Sequence, residues 1–252
     1  MTAVPADGTD RGANRRAQSN VVGVALLLGI TVLSLAGLTA AVGTVVEHHA
    51  AEADATRVAA QLDDGLDHVE TTGPRRIRVA FGSGRLETVR RDIRVVDSTG
   101  VRRRIRAGGL VYRNGDHRVA FVAGAVVRGR GAESSLVDPL SITATRDAGG
   151  VLVVGAPRLN ATGQAIAGTR GVTATLRTTV SHERTALGDD TYRVAVETEA
   201  PNAIERSFLR LNASVTRRDF DGDGVESVVG QFSGRRTAYL VVHDLDLEVT
   251  DG

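Results

Sequence analysis

Val21 to Val46 is a run of 26 residues without a charge, and no other feature of the chain restricts its possible folds so severely. As a helix rising 1.5 Å per residue it reaches about 39 Å, against a hydrocarbon core of about 30 Å, so it is long enough to cross a bilayer. Arg15 and Arg16 precede the run and Glu47 follows it. Under the positive-inside bias these flanks predict a single-pass protein of the cell membrane, with the N-terminus in the cytoplasm and the residues after about 47 outside. A secretory signal peptide carries a shorter apolar region ahead of its small-residue cleavage site. The nearest such site, Ala51-Glu52-Ala53, lies beyond the run.

Residues 1–17 are small and polar without periodicity and read as a disordered leader. Past Val46 the composition turns to Ala, Glu, Asp and Leu, and Val58, Leu62, Leu66 and Val69 are spaced four, four and three apart. That spacing predicts an amphipathic helix over 47–70. No proline interrupts Val21 to Val69, and Thr72-Gly73-Pro74 is the first stop signal. One helix over 18–72 is therefore expected, crossing the membrane with 21–46.

From Arg75 the period becomes two. Residues 76–81 alternate, 92–96 and 101–106 flank the turn Asp97-Ser98-Thr99-Gly100, and 110–112 and 119–127 flank Asn114-Gly115. Further strands are expected over 140–145, 151–154, 172–181, 192–198, 225–232 and 237–249, with a short helix over 203–211. In the last strand His243 falls on the apolar face, as a hydrogen-bonded core histidine. The expected fold class is α+β: a long N-terminal helix followed by a β-rich antiparallel head over 75–252. With no cysteine in the chain, that head has no disulfide and holds together by packing.

Residues 75–130 carry 15 Arg against four acids, and residues 183–252 carry 14 acids against eight Arg. Such runs on strands read first as solvated faces. Stacking aromatics are scarce near Arg75-Arg76, Arg90-Arg91 and Arg102-Arg103-Arg104, which argues against a nucleic-acid partner.

The junction Arg16-Ala17-Gln18-Ser19, set before a retained apolar helix, resembles the class III signal, or prepilin, cleavage site. Together with Asn20-Val21-Val22-Gly23-Val24-Ala25-Leu26-Leu27-Leu28-Gly29 it is similar to the N-terminus of haloarchaeal type IV pilin-like proteins. The stretches Asp221-Gly222-Asp223-Gly224-Val225 and Tyr239-Leu240-Val241-Val242-His243 resemble the end of a haloarchaeal pilin-like family of unassigned function. Asn20 stands where many archaeal pilins have Pro, and Val22 where bacterial pilins have Glu. The resemblance implies cleavage between Ala17 and Gln18 by a membrane prepilin peptidase. It also implies a structural or adhesive role, as a minor pilin or pilin-like subunit of an archaeal surface assembly. The partners it implies are membrane lipid, the peptidase and other subunits docking through 21–46, where Gly23, Gly29, Ala36, Gly37 and Gly43 permit close helix approach.

Asp219, Asp221 and Asp223, with Gly224 at the sixth position, match the front half of a calcium loop, and Glu226 is a further oxygen donor. The twelfth position is Gly230 and lacks the bidentate Glu. An acidic glycine-rich turn is the competing reading, and Ca2+ is the candidate cofactor. Asn160-Ala161-Thr162 and Asn212-Ala213-Ser214 fit the N-glycosylation acceptor pattern. No G-x-S-x-G, P-loop or H-E-x-x-H is present, and His48-His49 reads as an exposed helix turn, so no enzyme is expected. The alternative function is a monomeric, signal-anchored binding protein outside the cytoplasm, with calcium as its ligand.

Overall fold

The change of period at residue 73 divides the secondary structure. The computed structural model describes residues 13–66, 71–130, 133–147 and 149–252; leader residues 1–12 and Val69 lie outside the described residues. Helix α1 runs unbroken over Ala13–Leu66, so residues 13–17 of the expected leader are helical. The chain divides into two units, one ending at His49 and the other Ala50–Gly252. The second unit thus begins inside α1, and residues 50–66 of the expected amphipathic extension are part of the head.

In chain order the strands begin with β1 (Gly73–Phe81), β2 (Gly84–Val89), β3 (Asp92–Asp97), β4 (Gly100–Arg106), β5 (Gly109–Asn114) and β6 (His117–Val122). They continue with β7 (Ala125–Arg130), β8 (Glu133–Asp138), β9 (Ile142–Ala144), β10 (Val151–Arg158), β11 (Ala165–Gly168), β12 (Val172–Asp190) and β13 (Arg193–Glu197). After helix α2 (Pro201–Arg210) come β14 (Ser214–Arg218), β15 (Ser227–Gln231), β16 (Arg236–Asp244) and β17 (Glu248–Asp251). Three sheets result: β1-β12-β16-β10-β9 with β17 also on β12, β11-β2-β5-β6-β7-β8, and β14-β15-β13-β3-β4. The pairings are antiparallel except for β10 with β16, which is parallel.

Both expected turns close hairpins. Asp97 accepts hydrogen bonds from the Thr99 amide at 2.8 Å and the Thr99 hydroxyl at 2.7 Å. Asn114 pairs with His117 around Gly115, whose φ is 55°. The expected strand 119–127 is instead two strands, β6 and β7, joined by Ala123-Gly124 with φ 53° and 82°. A turn with both central φ values positive normally announces itself as Asn-Gly or Asp-Gly. Here Gly124 is required by space as well, since a Cβ would fall 2.0 Å from Ser141 Oγ. The expected strand 237–249 also divides, because Asp246 adopts φ 42°. Ala238 and Leu240 enter one core and Leu245 and Leu247 another, so the register of faces is not continuous.

One core gathers β3, β10, β13, β15 and α2 around Tyr192, Ile204, Phe208 and Phe232. The other gathers Ala55, Val58, Ala59, Leu62 and Leu66 of α1 against Phe81, Leu86, Leu110, Tyr112 and Leu176. The helical spacing read from the sequence is the spacing that buries this stripe. Polar residues of the same face finish the edge strand β1: Gln61 Oε1 accepts from the Ala80 amide at 2.8 Å, and Asp54 Oδ2 from Gly82 at 2.8 Å and Ser83 at 3.2 Å. Covering a sheet edge in this way satisfies its amides and blocks pairing with another chain. Leu62 is fully buried. Leu62→Ala should destabilise the head by about 2–5 kcal/mol, the range for emptying a buried leucine site, read as a lowered midpoint in thermal unfolding.

Candidate functional site

Two surfaces carry the functional candidates, one in each unit. In the first, the thirteen large apolar side chains between Val22 and Val46 are 53–73% exposed. Leu26, Leu27 and Leu28 are consecutive, so they look in different directions and the helix is apolar all round. A helix with no polar face is suited to lipid or to a bundle of like helices. Its threonine hydroxyls are turned inward on the backbone: Thr31 donates to the Leu27 carbonyl and Thr39 to that of Leu35, both at 2.8 Å, and Thr44 to Ala41 at 2.9 Å. Such back-bonding satisfies these three hydroxyl protons without water, as a hydrocarbon environment requires. The segment is long and apolar enough to cross a membrane. Arg16, Ala17 and Gln18 lie in the first turns of α1, and their side chains lie outside the described residues.

In the head the acidic loop meets a partner that sequence reading did not supply. Asp219, Asp221 and Asp223 bring carboxylate oxygens within 4.8 Å of one another, whereas Glu226 stands apart with its carboxylate 3.9 Å from Arg217 Nη1. Asp219 accepts from the amides of Asp221 at 3.3 Å, Gly222 at 2.8 Å and Gly224 at 3.2 Å. The Gly222 bond leads the effects that hold its carboxyl below the ordinary aspartate value. Asp223 accepts from Val225 at 2.9 Å. Asp221 Oδ2 takes Arg94 Nη2 at 2.8 Å and Arg104 Nη2 at 3.0 Å. A cation claiming Asp221 competes with two guanidinium groups.

Arg94 is the centre of this cluster. Its side chain is 3% exposed and reaches Asp92 at 3.0 Å, Glu197 at 3.4 Å, Ser227 Oγ at 3.3 Å and Asp221. Phe220 lies between Arg94 and Arg218, whose guanidinium carbons are 4.9 and 4.8 Å from its ring centroid. Strand alternation explains the arrangement. Ile93 and Val95 of β3 enter the core, while Asp92 and Arg94 take the other face beneath the 219–224 loop. Asp92, Glu197 and Asp221 carry three formal negative charges against the two of Arg94 and Arg104. Burial, reinforced by the charges of Asp92 and Asp221, raises the Glu197 carboxyl above its ordinary value. The neighbouring Glu199 behaves oppositely. Burial opposes its ionisation, but Arg118, Arg91 and Arg113 together outweigh that and hold it below the ordinary value. A polar cleft of about 630 Å³ adjoins this network, with Arg90, Arg106, Asn160, Thr162 and Asp223 in its walls. The sequence signal for the network was Asp92-x-Arg94 at the strand period. Its partners are 103 and 127 residues further along the chain.

Both sequon asparagines are exposed and left-handed, with φ 52° at Asn160 and 56° at Asn212. Asn160 donates to Asp244 Oδ1 at 2.5 Å. Asn212 follows α2 in a Schellman closure, with its amide bonded to the Leu209 carbonyl and that of Ala213 to Phe208.

The chain belongs to a family of unknown function, DUF7289, whose model matches residues 16–248. The match takes in the apolar helix as well as the head and begins at Arg16. No curated protein and no solved structure matches the chain.

Proposed function

We propose that the protein is a structural or adhesive subunit, of minor-pilin or pilin-like kind, in an archaeal type IV pilus-like surface assembly. The observation that carries this reading is the helix from Val22 to Val46, apolar on every side and with its threonine hydroxyls bonded to its own backbone. The function is one of packing rather than catalysis. In this reading Arg15 and Arg16 hold the N-terminus in the cytoplasm, a prepilin peptidase cuts between Ala17 and Gln18, and the head stands outside. Removing the charged residues leaves a helix able to move from lipid into a bundle of like helices. The family match over both helix and head supports a role that needs the two together.

Mass spectrometry of the mature chain tests the reading directly. A chain beginning at Gln18 is expected; an intact leader, or a start near Asp54, overturns it. Recovery of the protein in filaments sheared from cells then distinguishes a polymerised subunit from a resident membrane protein that binds a ligand through its head.

A further inference from the structure

We propose that the polar cleft beside the Arg94 network binds an acidic sugar, a uronate whose carboxylate is held by Arg90 and Arg106. The cleft measures about 630 Å³, within the range of about 300–1,000 Å³ usual for small-ligand sites. Its cations differ in what they have left to bind. Arg91 is committed to Glu199, and Arg104 to Asp92 and Asp221. Arg90 and Arg106 line the same cleft, are exposed, and have no ion pair or side-chain hydrogen bond among the described residues. A guanidinium presents paired N–H donors that match a carboxylate, so these two are the groups free to take one.

The rest of the lining is rich in acceptors. Asp223 gives Oδ1 to the Val225 amide and has no hydrogen bond at Oδ2 among the described residues. Asn160 spends its Nδ2 on Asp244 and keeps Oδ1, and Thr162 adds a hydroxyl. Such groups call for hydroxyl donors. Asp221, Asp223 and Glu197 repel a second negative charge, which disfavours a phosphate dianion or a polyanionic strand. No aromatic ring lines the cleft, so an apolar ligand gains little there. One carboxylate on a ring of hydroxyls satisfies both sets of groups. The loops that carry the lining are braced by their backbones: Gly108 donates to the Arg91 carbonyl at 2.9 Å, Leu159 to Ala107 at 2.8 Å and Thr88 to Gln164 at 2.9 Å. A preformed site loses little affinity to ordering on binding. The inference rests on the adhesive part of the proposed function and gives it a ligand class.

Titration of the full chain in detergent micelles with galacturonate, read by calorimetry and by saturation-transfer NMR, tests the site, with galactose as the uncharged control. One galacturonate per chain and no galactose binding are expected. Arg90→Gln and Arg106→Gln should each weaken binding about tenfold or more, the loss of a hydrogen bond to a charged group. Both should leave the unfolding midpoint unchanged, since neither side chain has a partner to lose. The proposal is overturned if galacturonate does not bind, if galactose binds equally well, or if both Gln variants bind like the parent. It is equally overturned if glycine displaces galacturonate at the same concentration, which would assign the cleft to an amino-acid zwitterion. A chain that begins at Gln18 but binds no galacturonate overturns the ligand and leaves the assembly standing, and the reverse result does the opposite.

Discussion

Arg94→Met is expected to destabilise the head by about 3–5 kcal/mol, the usual consequence of leaving a buried charge without its partner. For a domain of this size that corresponds to a fall of about 6–20 °C in Tm. Methionine fills much of the same space, so the loss comes chiefly from Glu197, which is buried and paired with Arg94 at 3.4 Å, whereas Asp92, also buried, keeps Arg104 at 2.5 Å. The sign of the pH dependence follows from Glu197, whose folded-state carboxyl is already raised by burial and by its acidic neighbours. An acid with a raised folded-state value contributes stability that is fully present below its unfolded value, about 4.3, and is lost as pH rises through the folded one. Removing Arg94 raises Glu197 further, so the gap between variant and parent should narrow as the pH falls toward 4. Calorimetry from pH 7 to 4.5 checks this, and a constant gap would show that unpaired carboxylates are not the cause. Adding Asp92→Asn and Glu197→Gln to Arg94→Met should recover part of the loss at neutral pH, because a buried pair removed whole costs far less than one broken in half.

Leu28→Arg combined with Leu33→Arg should expel the chain from the membrane fraction. Each arginine near the middle of a membrane helix costs about 2.5–3.5 kcal/mol on insertion scales, so the pair costs about 5–7 kcal/mol. Leu28 and Leu33 are 61% and 73% exposed in the first unit. The head, Ala50–Gly252, has its own cores and should keep its unfolding transition. Carbonate extraction of membranes reads the first effect and calorimetry the second. A double variant that stays in the membrane pellet like the parent would remove the basis for assembly through this helix.

The parts of the fold that were legible in the sequence are those written in a local repeat. The stripe Val58, Leu62, Leu66 declared the helical face that packs in the head, and Asn114-Gly115 and Asp97 to Gly100 declared two hairpins. Ala123-Gly124 was opaque because the space constraint that demands its glycine comes from Ser141, which no local pattern reveals. Helix α2 begins at Pro201, two residues before the expected 203, as its N-terminal proline permits. The site was less legible than the fold. The arginines between 75 and 130 read as a solvated basic face, yet Arg94 is buried and Arg91, Arg113 and Arg118 surround Glu199. The acidic loop read as the front of a calcium site, and its middle carboxylate is bound by two of those arginines. His243 read as a core histidine, and its Nδ1 faces a histidine 61 residues away.

By itself the sequence determined that one segment is long and apolar enough to cross a bilayer, that a helix carries it, and that an α+β chain with a disulfide-free β head follows. Each of these depends on composition or on a repeat of two or three to four residues, which a linear reading contains in full. Only the tertiary structure decided which charges are buried, which oxygens of the Asp219–Asp223 loop are already taken, and that His182 and His243 face each other across β12 and β16. A charge is tolerable in a low-dielectric interior only when its counter-charge arrives with it, and that counter-charge comes from wherever the sheet order places it, here from strands and loops more than a hundred residues away.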